Sequence, residues 1–490
     1  MRIAYMVPTF PSLSETFILN QITGLLDLGY EVDIFTLQKI NPEKIHEDII
    51  KYDLLKKVLT IHDLMSKSYP RQKEYDIIHC HFGPIGKIAI MMKLNGMIKG
   101  KIIVSFHGYD VSKFVSEHGD NVYQDIFTYA SLCMPISEFW KKKLIELGCP
   151  EEKILVHHMG VDLKKYSTNE ITQRHRERVN ILTVSRLVEK KGVQYGVEAV
   201  TKLIKSGKKV SYSIVGNGPL FDTIDKKIKQ DDTDKYIKLV GWKTQEEIKR
   251  LLLETDILLA PSITGSDGDM EGIPVVIMEA MAMGIPVVST LHSGIPEIVE
   301  HGITGYLVEE KNVDALYQKL NNLVEDPYTR IRLGIASKKK IEQKFNLDDL
   351  NLQLVNIIKN LPLEVDENAI KEKKDEIIQY KDGKLFFYDF NSLRGIYSKN
   401  NHRRIFVFGA SLFGEMVISE LHRLNIQVYG IVDNNSDLWG EKKGGVKVFS
   451  PTQLTCDDFV IVASGWYKEI ALQLERYGLK RNKDFIILFR

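Results

Sequence analysis

Two glutamates eight residues apart, Glu271 and Glu279, stand in the stretch GSDGDMEGIPVVIMEAMAMGIPVVST, residues 265 to 290. A carboxylate accepts two hydrogen bonds at once, which suits neighbouring hydroxyls on a sugar ring. Between them lie Gly272-Ile273-Pro274 and the start of an Ala/Met-rich run that ends at Gly284. Pro favours the first turn of a helix and Gly the residue just past its end. The spacing therefore predicts a loop, a short helix and then a buried strand over Ile285 to Val288. The free N–H groups and partial positive charge of a helix start form a seat for phosphate. Eight residues of helix-like rise span about 12 Å, the reach from a hexose across a diphosphate to a ribose. On this reading Glu271 holds a sugar, the helix start a diphosphate and Glu279 a ribose.

A pair of cations in SRLVEKKG, residues 185 to 192, complements those acids. The segment follows the predicted strand NILTV, and open α/β sheets bind ligands at the carboxyl ends of their strands. Arg186 and Lys191 would there neutralise a leaving diphosphate. SFHGYD, residues 105 to 110, ends another strand and offers His107. His79 and His81, in HCHFG, are expected to point to opposite faces of their strand, a poor spacing for one metal. Core packing is the expectation for them, with His81 or Gly83 near an acceptor.

These residues need a frame of strand ends. Residues 1 to 175 alternate the strands RIAYMVP, EVDIFTL, DIIHCHF, IIVSFHG, SLCMPIS and KILVHH with helical segments, including a charged helical stretch up to about residue 75. Ser12 with Glu15 is expected to form a capping box, as are Thr244 and Glu247. A polar linker near 167 to 180 leads into a second α/β run over 176 to 345. Residues 346 to 400 are a crossover helix and a Lys/Glu-rich linker (ENAIKEKKDEII) followed by an aromatic patch (LFFYDF). Repeated β-α alternation with apolar strands predicts parallel sheets covered on both faces.

Composition excludes several classes. A chain of 490 residues holds two to four domains, and 44% hydrophobic with 27% charged residues is that of a globular protein. A net charge of +1 gives no case for nucleic-acid binding. Cys80, Cys133, Cys149 and Cys456 form no C-x-x-C pair, which argues for a reducing compartment and against structural zinc. Met1 leads straight into a predicted strand, so no signal peptide is expected. The most apolar run, 272 to 289, contains Glu279 and two prolines and is too broken to span a bilayer.

In this order, the motifs of residues 1 to about 360 resemble the retaining GT-B glycosyltransferases of family four, the group 1 glycosyltransferases, whose E-x7-E pattern Glu271 and Glu279 match. The phrase FPSLSETFI resembles a subgroup serving exopolysaccharide assembly of the colanic-acid type. The resemblance implies an α/β GT-B fold of two facing Rossmann-like domains, with the acceptor on the first and the donor on the second. It implies transfer of a hexose-type sugar, with retention, from a nucleotide diphosphate sugar to a saccharide or lipid-linked saccharide. His107, Glu271, Arg186 and Lys191 would be catalytic, and Gly216, Gly272, Ile273, Pro274 and Glu279 donor-binding. No metal and no cofactor beyond the sugar nucleotide is expected. Pro11 to Glu15 replace the Gly-Gly pair of many relatives, which turns Glu15 toward the acceptor, and Met159 replaces a more usual asparagine. The implied location is cytoplasmic, and peripheral contact with the inner face of a membrane stays open through Lys141 to Lys143. A solvated helix face is the favoured reading of those lysines. A sugar-phosphate or glucan synthase, and a non-catalytic nucleotide-sugar scaffold or sensor, remain as alternatives.

Residues 401 to 490 begin again with the strand RIFVFGAS and a helix, forming a third, small Rossmann-like unit. Gly409-Ala410-Ser411-Leu412-Phe413-Gly414 is a G-x-S-x-x-G variant of the dinucleotide fingerprint, and Asp433 ends the next strand. Gly409, Ser411, Gly414 and Asp433 make an accessory nucleotide site, but a serine at the middle position crowds a pyrophosphate and weakens NAD binding. A nucleotide or nucleotide-sugar site and a purely structural role both stay open.

Overall fold

The computed structural model describes residues 1–12, 15–40, 45–60, 74–94, 98–166, 177–361, 400, 403–410, 412–423, 425–464, 467–481 and 483–487. Three six-stranded sheets organise them. The first contains β1 (Arg2–Phe10), β2 (Glu31–Lys39), β3 (Val58–Thr60), β4 (Glu74–His81), β5 (Lys99–Phe106) and β6 (Leu132–Pro135). Its order is β3-β2-β1-β4-β5-β6, every neighbour parallel. The second contains β7 (Val179–Val184), β8 (Val210–Val215), β9 (Ile237–Gly241), β10 (Ile257–Ala260), β11 (Val287–Thr290) and β12 (Gly305–Val308). It runs β12-β11-β10-β7-β8-β9, again all parallel.

Burial on both faces accounts for the parallel pairing. Ile3 to Val7 of β1 is an unbroken apolar run, and Val287 to Thr290 of β11 is buried throughout, the Ser289 and Thr290 hydroxyls donating to the Ala260 and Ser262 carbonyls. Both sheets have the doubly wound order, which reverses between β1 and β4 and between β7 and β10. Loops leaving the strands on either side of such a reversal diverge and open a crevice. The two crevices face each other, as expected of a GT-B fold.

The helix Leu347–Lys359 ties the halves together. Asn346 caps it by accepting the Asp348 N–H, and Asp348 and Asp349 place negative charge on its first turn. Leu354, Val355 and Ile358 join the core of the first sheet. The helix passes so close to Thr16–Asp27 that a methyl on Gly24 would collide with the Asn351 side chain.

The third sheet holds β13 (Arg404–Phe408), β14 (Gly430–Val432), β15 (Lys442–Lys443), β16 (Val446–Phe449), β17 (Asp458–Val462) and β18 (Phe485–Ile487). Its order is β15-β16-β14-β13-β17-β18, parallel except for the β15–β16 hairpin.

Several local expectations need correction. The first helix begins at Thr16 with Glu15 itself at its N-cap and no side-chain cap bond, so Ser12 lies too far upstream to cap it, and the Glu15 side chain lines the cleft. The Thr244–Glu247 capping box forms in full. The charged stretch after residue 40 is not one helix. A five-residue helix, Glu47–Lys51, is stopped by Asp53 in the left-handed region (φ 50), and β3 then pairs with β2. KILVHH pairs with β6 only through a bridge from Ile154 to Cys133 and the N–H groups of Leu155 and His157. The linkers at 167–176 and 362–399, with ENAIKEKKDEII and LFFYDF, lie outside the described residues. Lys141 and Lys143 are paired with Glu151 (2.9 Å) and Glu146 (3.1 Å). No helix among the described residues is long and apolar enough to cross a membrane.

Candidate active site

After β10 the chain loops to the helix Val275–Ala282. Pro274 is its N-cap, and Gly284 beyond its end takes a left-handed φ of +69. The helix starts only at Val275, so Glu271 reaches out on a non-helical segment. Glu279 lies on it among buried Ile277, Met278, Ala280 and Met281, and is itself 6% exposed. Burial pushes its carboxyl up to about 7, against the pull of the Tyr166 hydroxyl beside it. That hydroxyl donates its one hydrogen to Gln245 Oε1 at 2.9 Å.

Glu271 has the opposite environment. Its carboxylate forms an ion pair with Lys191, both side chains being largely buried. Burial alone would raise it, yet Lys191, Lys190 and Arg186 together hold it down to about 2. Lys190, which sequence reasoning missed, is buried and donates to Asp269 Oδ1 (2.9 Å) and the Met270 carbonyl (3.3 Å). Both lysines belong to the short 3-10 turn Glu189–Lys191. Gly192 follows at φ +61, and a methyl there would come 1.9 Å from the Pro261 carbonyl oxygen, so the turn is pressed against the donor loop. Arg186 is exposed and makes no ion pair among the described residues.

His107 leaves the end of β5 on the opposite wall. Asp110 shapes this loop, accepting the N–H groups of His107 and Gly108 (both 2.9 Å) and of Gly83 (3.0 Å). His81 Nδ1 lies 3.0 Å from His107 Nε2. The rings of His79 and His81 stack at 4.6 Å and those of His81 and His107 at 5.1 Å. The expectation of opposite faces for His79 and His81 is therefore wrong, since residues two apart share a face of a pleated strand. Burial drives His79 and His107 down to about 3, so both rings are neutral. His107 Nδ1 is buried without a hydrogen-bond partner.

The two walls meet at backbone distance. A methyl on Gly272 would come 2.1 Å from the His107 carbonyl oxygen, and one on Gly108 2.9 Å from the Gly272 nitrogen. The Met270 N–H donates to Ser112 Oγ (3.2 Å), and Lys113 pairs with Asp267 (2.7 Å). Glu297 of the second half accepts the N–H groups of Glu138 (3.0 Å) and Phe139 (3.1 Å) and lies 3.0 Å from His158 Nε2. A cleft of about 1010 Å³ runs between the halves. His107, Arg186, Lys191, Glu271 and Glu279 line it together, as do Gly216, Gly272, Ile273 and Pro274. Gly216 has φ +135, and a methyl there would come 1.8 Å from the Ser185 carbonyl oxygen. Glu15 also lines the cleft, with Oε2 buried and without a hydrogen-bond partner.

In the third unit the fingerprint closes on itself. Asp433 Oδ2 accepts the Ala410 N–H (2.6 Å) and Oδ1 the Asn435 N–H (2.8 Å), so the carboxylate is engaged with backbone. A methyl on Gly414 would come 1.8 Å from the Gly409 carbonyl oxygen, which is why a glycine stands there. Ser411 lies outside the described residues.

Comparison with known proteins agrees with this division of the chain. The family model for Glycosyltransferase Family 4 matches residues 14–165, that for Glycosyl transferases group 1 residues 168–340, and that for C2185-like, N-terminal, residues 401–485. The chain is 35% identical over 407 residues to a protein of Escherichia coli (strain K12) named for colanic acid biosynthesis, glycosyltransferase WcaL; the match covers 74% of this chain and 100% of the relative. Amylovoran biosynthesis glycosyltransferase AmsK of Erwinia amylovora is 36% identical over 408 residues, with 74% and 100% coverage. Among solved structures, Anabaena Alr3699/HepE in complex with UDP and glucose has a TM-score of 0.60 at 17% identity, covering 74% of this chain and 100% of that one. Sucrose-phosphate synthase from Thermosynechococcus elongatus has a TM-score of 0.59 at 18% identity, with 74% and 99% coverage. At these identities the structural likeness is one of fold.

Proposed function

The chain belongs to the group 1, family-four glycosyltransferases, and from that premise we propose that it moves a hexose-type sugar, with retention and without a metal, from a nucleotide diphosphate sugar to a saccharide or lipid-linked saccharide acceptor. The names of WcaL and AmsK support a place in exopolysaccharide synthesis. The observation that carries the reading is the contrast between two carboxylates in one cleft. Glu271 is ionised beside Lys191, and Glu279 is buried in an apolar helix.

Each residue then has a task. The diphosphate takes the cations Arg186 and Lys191 and the start of the helix Val275–Ala282. Drawing Lys191 to phosphate frees Glu271 to accept hydrogen bonds from the sugar. Neutral His107 orients the sugar from the other wall. The bond from the anomeric carbon to the diphosphate breaks while the acceptor oxygen bonds to that carbon on the same face, and the acceptor proton goes to a phosphate oxygen. No protein group is needed as a strong base. The test is donor hydrolysis and transfer with a panel of UDP-, GDP- and ADP-sugars in excess EDTA. Full turnover is expected, and a strict need for Mg²⁺ or Mn²⁺ would remove the metal-free mechanism.

Glu279 gives a pH prediction. If ribose is held by the ionised carboxylate, donor binding must drive off the proton that burial retains at neutral pH. With its carboxyl at about 7, nucleotide-sugar affinity is expected to be about tenfold weaker at pH 6 than at pH 8. A sugar diphosphate does not itself titrate in this range, and Glu279→Gln should flatten the profile. The ligand-free fold should respond in the opposite sense. A raised carboxyl contributes stability that is full below its ordinary 4.5 and lost as pH rises through about 7. Calorimetric titration across that range checks both, and a flat wild-type affinity would count against the ribose role.

A further inference from the structure

We propose that His292 and Glu310 form a positioning clamp that sets the backbone of Glu271, and through it the recognition of the donor's sugar; this rests on the donor role proposed above for Glu271. Neither residue belongs to a motif that the sequence singled out. His292 follows β11 and is fully buried, and Glu310 follows β12. The Glu271 N–H donates to His292 Nε2 at 3.0 Å. That bond requires a bare Nε2, so the ring proton sits on Nδ1 and is given to Glu310 Oε1, 2.5 Å away. The Glu310 carboxylate in turn accepts the Thr264 N–H (2.7 Å) and the Thr264 hydroxyl (3.3 Å).

Thr264 and Glu271 bound the loop that carries the donor carboxylate, so one imidazole–carboxylate pair holds both ends of it. The next residue completes the grip: Ser293 donates its hydroxyl to the Gly272 carbonyl at 2.7 Å, from a left-handed backbone at φ 44. Residues 292 and 293 thus hold the N–H of Glu271 and the C=O of Gly272, pinning the peptide units on either side of the bond that joins these two residues. Glu271 can turn about its side chain when Lys191 leaves it for phosphate, but its main chain stays in place. Positioning of this kind favours the sugar-bearing donor and leaves the nucleotide contacts alone.

The variants are chosen by atom. His292→Gln puts an oxygen near the place of Nε2, able to accept the Glu271 N–H, while its amide can still donate toward Glu310. His292→Asn is too short to reach. Binding of UDP and GDP is compared with binding of UDP-glucose, UDP-galactose and GDP-mannose by calorimetry, using the full chain. Asn at 292 is expected to weaken the sugar donor that the wild type binds by about tenfold or more, with free nucleotide affinity within about twofold. Gln should recover most of that loss. Glu310→Gln and Ser293→Ala should move the sugar donor in the same direction and keep the inference testable if the Asn variant does not fold. Wild-type donor affinity in the Asn variant, or no advantage of Gln over Asn, would overturn the clamp. Equal losses for nucleotide and nucleotide sugar would also overturn it, showing a merely structural role. A wild type that binds free nucleotide but none of the sugars would instead overturn the donor reading, before any variant is compared.

Discussion

Replacing Arg186 by Ala is expected to cut turnover by about 10²- to 10³-fold, the cost of removing one stabilising group from a preorganised site, while lowering the melting temperature far less than loss of Lys191 does. The guanidinium is exposed and makes no ion pair among the described residues, so it acts on Glu271 only at longer range than Lys191 and Lys190. Lys191→Ala should lose as much activity but behave differently in stability. Its partner Glu271 is largely buried, and breaking such a pair by removing one member typically costs about 3–5 kcal/mol. Lys190 and Arg186 also lower the Glu271 carboxyl, which places the expected cost at or below the lower end of that range. Adding Glu271→Gln to Lys191→Ala should restore the melting temperature without restoring turnover. Donor turnover and thermal unfolding of the four proteins check this. Near-normal activity in both single variants would sink the assignment, and so would an equal loss of stability in both.

That contrast between two cations was only half legible in the sequence. The meeting of these residues in one cleft was readable because Arg186, His107 and the donor loop each follow an apolar strand, and parallel sheets gather strand ends at one edge. Glu271 and Glu279 were readable because a loop, a proline and an Ala/Met run fix a short helix between the strands β10 and β11. Direction was harder. Whether Lys190 or Lys191 meets Glu271 depends on a single 3-10 turn, and in fact both face the donor loop, one binding Asp269 and the other Glu271. The stacked His79 and His81 follow from the two-residue period of a strand, which the expectation of opposite faces neglected. Glu15 lines the cleft, and the expected Ser12–Glu15 capping box fails because the helix starts three residues later than that box requires, with Glu15 itself at the N-cap. His292 and Glu310 left no local signal. They lie eighteen residues apart at the ends of two neighbouring strands and meet only because β11 pairs with β12 in parallel.

The division of the third unit is equally physical. Glycines at 409 and 414 have structural reasons that need no ligand, since a side chain at either would strike backbone. Asp433 spends both carboxylate oxygens on the N–H groups of Ala410 and Asn435. A fingerprint read from sequence reports a strand–turn–helix closed by glycine, and here the backbone packing alone accounts for Gly409 and Gly414.

The largest effect from the smallest change is expected at Gly272. Its backbone is not in the left-handed region, so alanine carries no conformational penalty of its own. A methyl group would nonetheless come 2.1 Å from the His107 carbonyl oxygen and 2.7 Å from Ile136 Cδ1. The first neighbour is main chain, held by the bonds from His107 and Gly108 to Asp110, and cannot step aside. The second half must therefore back away from the first, carrying Glu271 from His107. Each half keeps its own sheet, but buried side chains of the two halves share one apolar cluster that includes Ile136 and Ile273, so Gly272→Ala is expected to lose some thermal stability while remaining folded, and to bind free nucleotide normally. Turnover should fall by about 10²-fold or more, because a displacement of about 1 Å between positioning groups is enough for such a loss. Ile136→Val relieves only the second contact and should not rescue the variant. Steady-state turnover, calorimetry with UDP and GDP, and thermal unfolding together decide the matter. A variant with near wild-type turnover would show that the backbone contact across the cleft is not the geometry in which the enzyme reacts.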